Sequence, residues 1–233
     1  MMPSQYYEGR TVDEMLVDFI QTYLTDTGWL RSADRKEAID GQDRPLPWMT
    51  YPAIAVLGRL VRPELAVFEF GSGGSTSWWR ERVGRVVSVD HDTAWAQKTG
   101  ALARPAGSQC ALGEVEPYLC LVEALIDTGP ANDGPTDRDY AAYLAALLEY
   151  PRGSFDIIVI DGVARNTGAA IAAEVIKPGG LIVFDNSDRP DYAVGYNLLR
   201  AAGFARIDFW GPGPINPYGW CTSLFVQNLA FFS

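Results

Sequence analysis

The stretch FEFGSGGSTSWW, residues Phe68–Trp79, joins an apolar run to a glycine-rich turn and then to a segment of helical character. In α/β proteins such a turn lies where a strand ends and the next helix begins. The N-terminus of that helix presents free N–H groups, and small residues allow a ligand to approach the backbone. The stretch therefore predicts either a loop that cradles a cofactor or only a tight strand-to-helix turn.

Apolar runs of the same kind recur along the chain and alternate with helical patterns. Runs such as IIVI and LIVF are continuously apolar, which is typical of parallel strands covered on both faces. The alternation predicts an α/β fold with a doubly wound, mostly parallel seven-stranded sheet. The last two strands have no helix between them, so we expect them to form an antiparallel pair. The strands predicted after Leu65–Phe70 are Arg85–Asp90, a weak one near Gln109–Leu112, Phe155–Asp161, Gly180–Asp185, Ala205–Trp210 and Trp220–Gln227.

The residues before the sheet form a separate region of the sequence. Apolar residues recur at helical spacing over Thr11–Thr25, with Thr11 as a candidate cap, and Pro52–Val61 predicts a short apolar helix. A chain of 233 residues suits one α/β domain with an appended segment. We therefore expect an N-terminal helical segment at residues 1–62 and a Rossmann-like domain at residues 63–233.

Composition excludes several classes of partner. The net charge of −10 disfavours contact with phosphate backbones. The cysteines are odd in number and form no CxxC pair, which fits free thiols in a reducing cytosol, and a single histidine argues against zinc. The sequence shows no signal-peptide pattern and no apolar run near the roughly 18 residues of a membrane span. We therefore expect a cytoplasmic protein without nucleic-acid or membrane partners, and the oligomeric state is left open.

An acidic residue after the second strand suggests a nucleoside ligand. Asp90 follows Gly71 by 19 positions, which matches the spacing of an acid that binds both ribose hydroxyls. The dinucleotide fingerprint requires a third glycine, however, and Thr76 occupies that position. Glu69 would repel a pyrophosphate but would attract a cationic sulfonium and a free amino group. These features favour a sulfonium cofactor over a dinucleotide.

The motifs FEFGSGG, SVDHD, FDIIVIDG and IKPGGLIVFDN, in this order, resemble those of class I S-adenosylmethionine (SAM)-dependent methyltransferases. The resemblance covers about Val67–Phe184. It implies that the glycine turn holds the methionine part of SAM, that Asp90 holds the ribose, and that adenine lies near Leu112–Val115. The implied cofactor-binding residues are Glu69, Gly71, Ser72, Gly73, Ser75, Thr76, Asp90, His91 and Asp161.

The ends of two later strands carry oxygen ligands. Asp161 ends one strand, and Asp185 and Asn186 end the next, so these side chains are expected to converge. Such a set suits Mg²⁺ and partly resembles the metal-dependent O-methyltransferases, in which the ion orients two substrate oxygens. That family places a lysine base shortly after the first aspartate, but this chain has Arg165 nearby. The arginine could bind an acidic substrate group, or pair with Asp161 or Asp185 and replace the metal.

The sequence therefore predicts a SAM-dependent methyltransferase that acts on an oxygen of a small molecule or sugar, with Mg²⁺ as an optional second cofactor. Asp161 and Asp185 are the candidate catalytic residues, and Arg165, Asn186 and Trp48 are candidate substrate contacts. Asp161 could also line the SAM or substrate pocket without a metal. The alternatives are a SAM- or nucleotide-binding protein that transfers nothing, an NAD-dependent oxidoreductase and an aminopropyl transferase.

Overall fold

One mixed β-sheet organises the chain in the computed structural model, which describes residues 9–92, 95, 114–118, 140–228 and 231. The strands are β1 (Ala66–Phe70), β2 (Arg85–Val89), β3 (Glu114–Tyr118), β4 (Ile157–Ile160), β5 (Leu181–Asp185), β6 (Ala205–Gly211) and β7 (Trp220–Val226). They lie side by side in the order β3-β2-β1-β4-β5-β7-β6.

Strand directions confirm the predicted mostly parallel sheet with an antiparallel C-terminal pair. Strands β1 to β5 are parallel, whereas β7 is antiparallel to both β5 and β6. The chain moves outward from β1 through β2 to β3, and then returns to place β4 on the other side of β1. The carboxyl ends of β1 and β4 therefore flank the switch point, where open α/β sheets bind their ligands.

Helices cover both faces of the sheet. Those named here are α1 (Val12–Phe19), α2 (Trp29–Arg35), α3 (Tyr51–Leu60), α4 (Gly74–Arg80), α5 (Ala141–Ala145), α6 (Arg165–Val175) and α7 (Ala193–Ala201). Side chains of α5, α6 and α7 pack on one face, and those of α3 and α4 pack on the other. This is the arrangement that continuously apolar parallel strands require.

The alternation of side chains along β1 separates the two core layers. Phe68 and Phe70 belong to the layer with α5 to α7, whereas Val67 belongs to the layer with Trp78 and Trp79 of α4. Successive strand residues point to opposite faces. Glu69 therefore points into the same buried layer as Val67.

The third strand of the sheet comprises Glu114–Tyr118, where Arg85 pairs with Glu114 and Val89 with Tyr118. The range predicted for it, near Gln109–Leu112, lies outside the described residues. In the sheet order the strand bonds to β2 alone, so it is an edge strand. An edge strand does not need a continuous apolar run and tolerates a proline such as Pro117. The sequence of Glu114–Tyr118 therefore carried no apolar signal for a strand.

The N-terminal helix begins as predicted. Thr11 caps α1: its hydroxyl accepts from the Glu14 N–H, and the Glu14 carboxylate accepts from the Thr11 N–H. Helix α1 then continues into a π-helix at Ile20–Leu24. The apolar side chains of α1 stay largely exposed and include Val12, Leu16 and Phe19. The amphipathic pattern is present, but it is not buried against the part of the chain that the structure describes.

Residues 38–46 form a strap that lies over the glycine loop. The strap closes on itself through the Leu46 N–H and the Ala38 carbonyl (2.8 Å) and through a bridge between Ile39 and Pro45. After it, Leu57 of α3 joins the buried layer of the sheet. The predicted boundary between residues 62 and 63 stays a prediction, although both sides of it share this core.

Some expectations fall outside the described residues. They include most of a helix predicted at Thr93–Leu102, a long polar loop predicted at Asp127–Asp137, and the cysteines at positions 110 and 120. Cys221, within the described part, is buried and free. In that same part, no helix is long and apolar enough to cross a membrane.

Candidate cofactor and active site

A cavity of about 710 Å³ opens at the carboxyl ends of β1, β4 and β5. The glycine loop forms its floor, the strap forms one wall, and the loop between β6 and β7 forms another. Residues from each predicted group line it: Gly71, Ser72, Gly73 and Ser75 from the glycine loop, Asp161, Asp185, Asn186 and Arg165 from the strand ends, and Trp48, Trp95, Tyr218 and Trp220 as aromatic walls. The glycine loop and the aspartates therefore face a common space.

Two of the loop glycines are required by the protein itself. Gly71 has φ +94°, and a Cβ there would lie 2.9 Å from the Gly162 Cα at the end of β4. A Cβ on Gly74 would lie 2.5 Å from the Leu46 carbonyl oxygen of the strap. Real Cβ atoms do not approach backbone so closely, so both positions exclude larger residues because of neighbouring chain segments.

Gly73 has no such requirement among the described residues. Its φ of 169° is an extended conformation that any residue adopts. A Cβ there would meet only the Ser75 Oγ at 3.8 Å and the Trp95 Nε1 at 4.0 Å, which are ordinary contacts. Because Gly73 lines the cavity, its missing side chain leaves open space there. This is the space that a cofactor close to the loop backbone would need.

Glu69 lies beneath the loop and not on the cavity. It is fully buried, and its Oε2 accepts from the Thr76 hydroxyl (2.6 Å) and the Ser88 hydroxyl (2.8 Å). Thr76 Oγ1 in turn accepts from the Gly73 N–H (3.0 Å). Glu69 and Thr76 thus form a hydrogen-bond chain that supports the loop from behind, and their contact with a cofactor stays a prediction.

Burial raises the pKa of Glu69 to about 7, although hydrogen bonds from neighbouring side chains favour its charged form. Its second carboxylate oxygen, Oε1, has no hydrogen-bond partner among the described residues. A fully buried carboxyl group with one unpaired oxygen disfavours a charge. Glu69 is therefore poised to lose and gain its proton close to neutral pH.

This predicts a pH-dependent stability that Glu69→Gln removes. The folded pKa lies above the unfolded value, so the folded state binds more protons between about pH 5 and 7. Its contribution is fully present below the unfolded pKa and is lost as pH rises through 7. We expect wild type to lose about 3 kcal/mol relative to Glu69→Gln between pH 5 and pH 8, measured by urea unfolding. A difference between the two proteins that stays constant with pH would contradict the raised pKa.

Asp90 ties the loop to the end of β2. Its Oδ2 accepts from both the N–H and the hydroxyl of Ser72 (2.7 Å each), and its Oδ1 accepts from the Asp92 N–H (2.8 Å). Burial alone would raise the pKa of Asp90, but hydrogen bonds from His91, Asp92 and Ser72 outweigh it and lower the pKa. The predicted ribose acid is therefore charged and already bound to the loop.

His91 is set apart from the reacting end of the cavity. Its ring packs edge-on against Tyr140 and Tyr143, with centroids 5.6 and 6.1 Å away, and its Nδ1 lies 3.4 Å from Asp90 Oδ1. Neither His91 nor Asp90 is among the described residues that line the cavity. Of the expected adenine contacts at Leu112–Val115, residues 112 and 113 lie outside the described part.

Asp185 at the end of β5 is buried, whereas Asp161, which follows β4, is only partly buried. Arg165, at the start of α6, donates to Asp161 Oδ1 (3.2 Å). Asp185 Oδ1 accepts from the Trp220 indole (2.9 Å) and from the Thr222 hydroxyl. Burial and the charge of Asp185 raise the pKa of Asp161 well above its ordinary value, although Arg165 opposes this. Burial also raises the pKa of Asp185, against Arg165 and the Thr222 and Trp220 hydrogen bonds.

The donor set does not fit the predicted Mg²⁺ site. One oxygen of Asp161 is taken by a guanidinium, and one oxygen of Asp185 accepts two hydrogen bonds from β7. No cluster of three or more His, Cys, Asp or Glu side chains able to hold a metal occurs among the described residues. A hard cation needs those carboxylate oxygens free and close together. Of the two alternatives left open for Arg165, the geometry shows the ion pair, in which Arg165 pairs with Asp161.

No protein-family model matches the sequence, and no curated protein is detectably similar to it. Similar solved structures include a methyltransferase-like protein from Silicibacter pomeroyi, at 25% identity and a TM-score of 0.46 over 78% of this chain and 89% of that one. A spermidine synthase from Thermotoga maritima matches at 12% identity and a TM-score of 0.48, over 76% of this chain but only 57% of its own length. Precorrin 8W decarboxylase from Methanobacterium thermoautotrophicum matches at 18% identity and a TM-score of 0.48, over 75% of this chain and 88% of its own.

Because these TM-scores lie below 0.5, the strand order and directions decide the fold. The sheet runs β3-β2-β1-β4-β5-β7-β6 with β7 reversed, and FEFGSGG, SVDHD and FDIIVIDG extend to the carboxyl ends of β1, β2 and β4. IKPGGLIVFDN spans β5. The chain has the class I SAM-dependent methyltransferase fold. In this methyltransferase fold, the space beside Gly73 lies where the resemblance places the methionine part of SAM.

Several cavity residues of the methyltransferase fold were not predicted. Trp95, from a helix predicted without a role, donates from Nε1 to the Ser72 carbonyl (2.8 Å) beside the loop. Asn216 and Tyr218 lie in the loop between β6 and β7, and the Asn216 carbonyl accepts from the Trp29 indole (2.9 Å). The proline- and glycine-rich sequence GPGPINPYG marked a loop there, but nothing in it indicated contact with the N-terminal region.

Proposed function

We propose that this chain is a SAM-dependent methyltransferase that methylates an oxygen of a small molecule. The observation that carries the proposal is the continuity of one cavity from Gly73 to Asp161. The open space at Gly73 fits a cofactor against the loop backbone, and Asp161 supplies a carboxylate in the same space. SAM, when bound, supplies an electrophilic methyl group on a sulfonium ion.

Asp161 is the proposed base. Its Oδ1 is held by Arg165, its side chain is partly exposed at the cavity, and burial raises its pKa, which makes the carboxylate a better proton acceptor than an ordinary aspartate. In the proposed transfer the hydroxyl proton of the acceptor would pass to the Asp161 carboxylate as the oxygen bonds to the methyl carbon and the methyl–sulfur bond breaks, so that the sulfur would leave as a neutral thioether. Asp185 lines the same cavity and is held in place, because Trp220 and Thr222 donate to its Oδ1.

The walls of the cavity indicate the kind of acceptor. Trp48 and Tyr218 are both substantially exposed, and the Tyr218 ring lies 6.3 Å from the buried Trp220 ring in an edge-on arrangement. Aromatic walls with a few polar groups are typical of sites for small molecules. Ring faces of this kind stack on a planar aromatic acceptor or on the apolar face of a sugar.

Thermal unfolding with candidate cofactors tests the proposal. Saturating SAM is expected to stabilise the fold by about 3 kcal/mol at 100 times its Kd, a rise of roughly 5–10 °C in Tm for a chain of this size. Decarboxylated SAM and NAD are the comparison ligands, because they distinguish an aminopropyl transferase and an oxidoreductase. Stabilisation by NAD alone would contradict the proposal, and SAM binding without methyl transfer to any hydroxyl acceptor would reduce it to a binding protein.

A further inference from the structure

Two carboxylates line the cavity at the ends of β4 and β5, and a cation there would stabilise their charged forms. Asp185 is buried and Asp161 is partly buried, and the charge of Asp185 raises the pKa of Asp161. Buried charges are stable only when they are paired and hydrogen-bonded. In a metal-dependent site a divalent ion would meet this need, but the described donors do not form one.

Arg165 meets that need with its own guanidinium group. Its Nη2 donates to Asp161 Oδ1 (3.2 Å) and to the Asp161 carbonyl (3.1 Å), and its Nε donates to the Gly162 carbonyl (2.8 Å). Its Nη1 donates to the Asp185 carbonyl. The side chain is only 8% exposed. One guanidinium therefore holds the ends of both strands together.

The backbone around Arg165 is built for this position. Ala164, the residue before it, has φ +50°, a left-handed conformation that disfavours residues with a Cβ. The Tyr192 ring packs on the guanidinium, with its centroid 5.0 Å from Arg165 Cζ. The fold thus accepts a strained residue and adds a cation–π contact to keep this cation in place.

We propose that Arg165 takes the place of the divalent cation, so that the site works without a metal. Arg165 is a positioning residue: it fixes Asp161 and balances its charge, but leaves the reacting atoms to Asp161. The proposal rests on the proposed methyl transfer only for its catalytic consequence. Its structural part, that Asp161 and Asp185 form no cation site, is independent of any acceptor.

Terbium binding tests that part without turnover. Tb³⁺ in the site would emit light sensitised by Trp220, because the Trp220 indole is bonded to Asp185. We expect no such emission from wild-type protein at millimolar Tb³⁺ and no change in Tm with Mg²⁺ or EDTA. Arg165→Met removes the charge and is expected to gain emission at least tenfold. Sensitised emission from wild-type protein that Asp185→Asn abolishes would overturn the proposal. A folded Arg165→Met protein without sensitised emission would also overturn it.

The conservative variant separates positioning from simple packing. Arg165→Lys keeps a cation but not the fork of donors. We expect Arg165→Lys to show no sensitised Tb³⁺ emission and to keep at least a tenth of the wild-type turnover rate. The turnover rate of Arg165→Met is expected to fall below a hundredth of the wild-type rate. Equal loss in both variants, with folding intact, would contradict a role for the charge. If Arg165→Met does not fold, the wild-type Tb³⁺ emission and the turnover of Arg165→Lys still test the proposal. Absence of turnover in wild type contradicts only the proposed function, since the terbium result stands by itself.

Discussion

Replacing Gly73 with alanine is expected to leave folding intact and to weaken SAM binding by about 10- to 100-fold. A Cβ at this position would lie no closer than 3.8 Å to the neighbouring atoms of the described residues, and the extended backbone tolerates alanine. The new methyl group would instead occupy the cavity space beside the loop. Overpacking a close contact by one methyl group costs about 1–3 kcal/mol, which corresponds to that loss of affinity.

Gly74→Ala is the matched control, because it adds the same methyl group one residue later. There the Cβ would lie 2.5 Å from the Leu46 carbonyl, so the strap must move. We expect a loss of about 1–3 kcal/mol in the free energy of unfolding. Urea unfolding and calorimetric titration with SAM measure the two effects separately. Unchanged SAM affinity in Gly73→Ala would show that the open space does not belong to the cofactor.

The sheet could be predicted from the sequence because its signals are local. The runs that form β1, β4 and β5 are continuously apolar and end at glycines or aspartates, so their ends and their role followed from short stretches. The register of β3 could not be predicted in this way. An edge strand with Pro117 carries no apolar run, and its position depends on pairing with β2.

The glycine loop was recognised, but its glycines could not be told apart. Gly71 must be glycine because it lies against the end of β4, and Gly74 because it lies against the strap. Both contacts join residues that are distant in sequence. The burial of Glu69, in contrast, could have been predicted from the sequence. Alternation along β1 places it on the same side as Val67, in the buried layer. Its carboxylate therefore supports the loop through Thr76, where the family resemblance had suggested a direct contact.

The strand-end aspartates illustrate a limit of another kind. The sequence placed Asp161, Asp185 and Arg165 at one edge of the sheet but left a metal and an arginine pair as alternatives. The choice depends on where individual donors point, and Trp220 and Thr222 reach Asp185 from the antiparallel strand β7. Such contacts follow from the packing of side chains across strands and are not encoded in any local pattern.

Asp161→Asn is expected to reduce the rate of methyl transfer by about 10²- to 10⁴-fold while SAM binding stays close to wild type. General-base catalysis contributes an effect of this size. Asparagine keeps the shape of the side chain and can still accept from Arg165, but it cannot take a proton. Single-turnover transfer of a radiolabelled methyl group measures the chemical step, and titration with SAM measures binding.

Asp156→Asn is the matched control, because Asp156 lies at the N-terminal end of β4, whereas Asp161 lies at its C-terminal end. Its carboxylate accepts from the Ala66 N–H (3.0 Å) and pairs with Lys177 (2.6 Å), and it does not line the cavity. We expect wild-type transfer rates from this variant. In wild type the rate should rise with pH as Asp161 loses its proton, and Asp161→Asn should lose that rise. An Asp161→Asn protein that keeps both the rate and its pH dependence would exclude Asp161 as the base, because the titrating group would then have to be another residue.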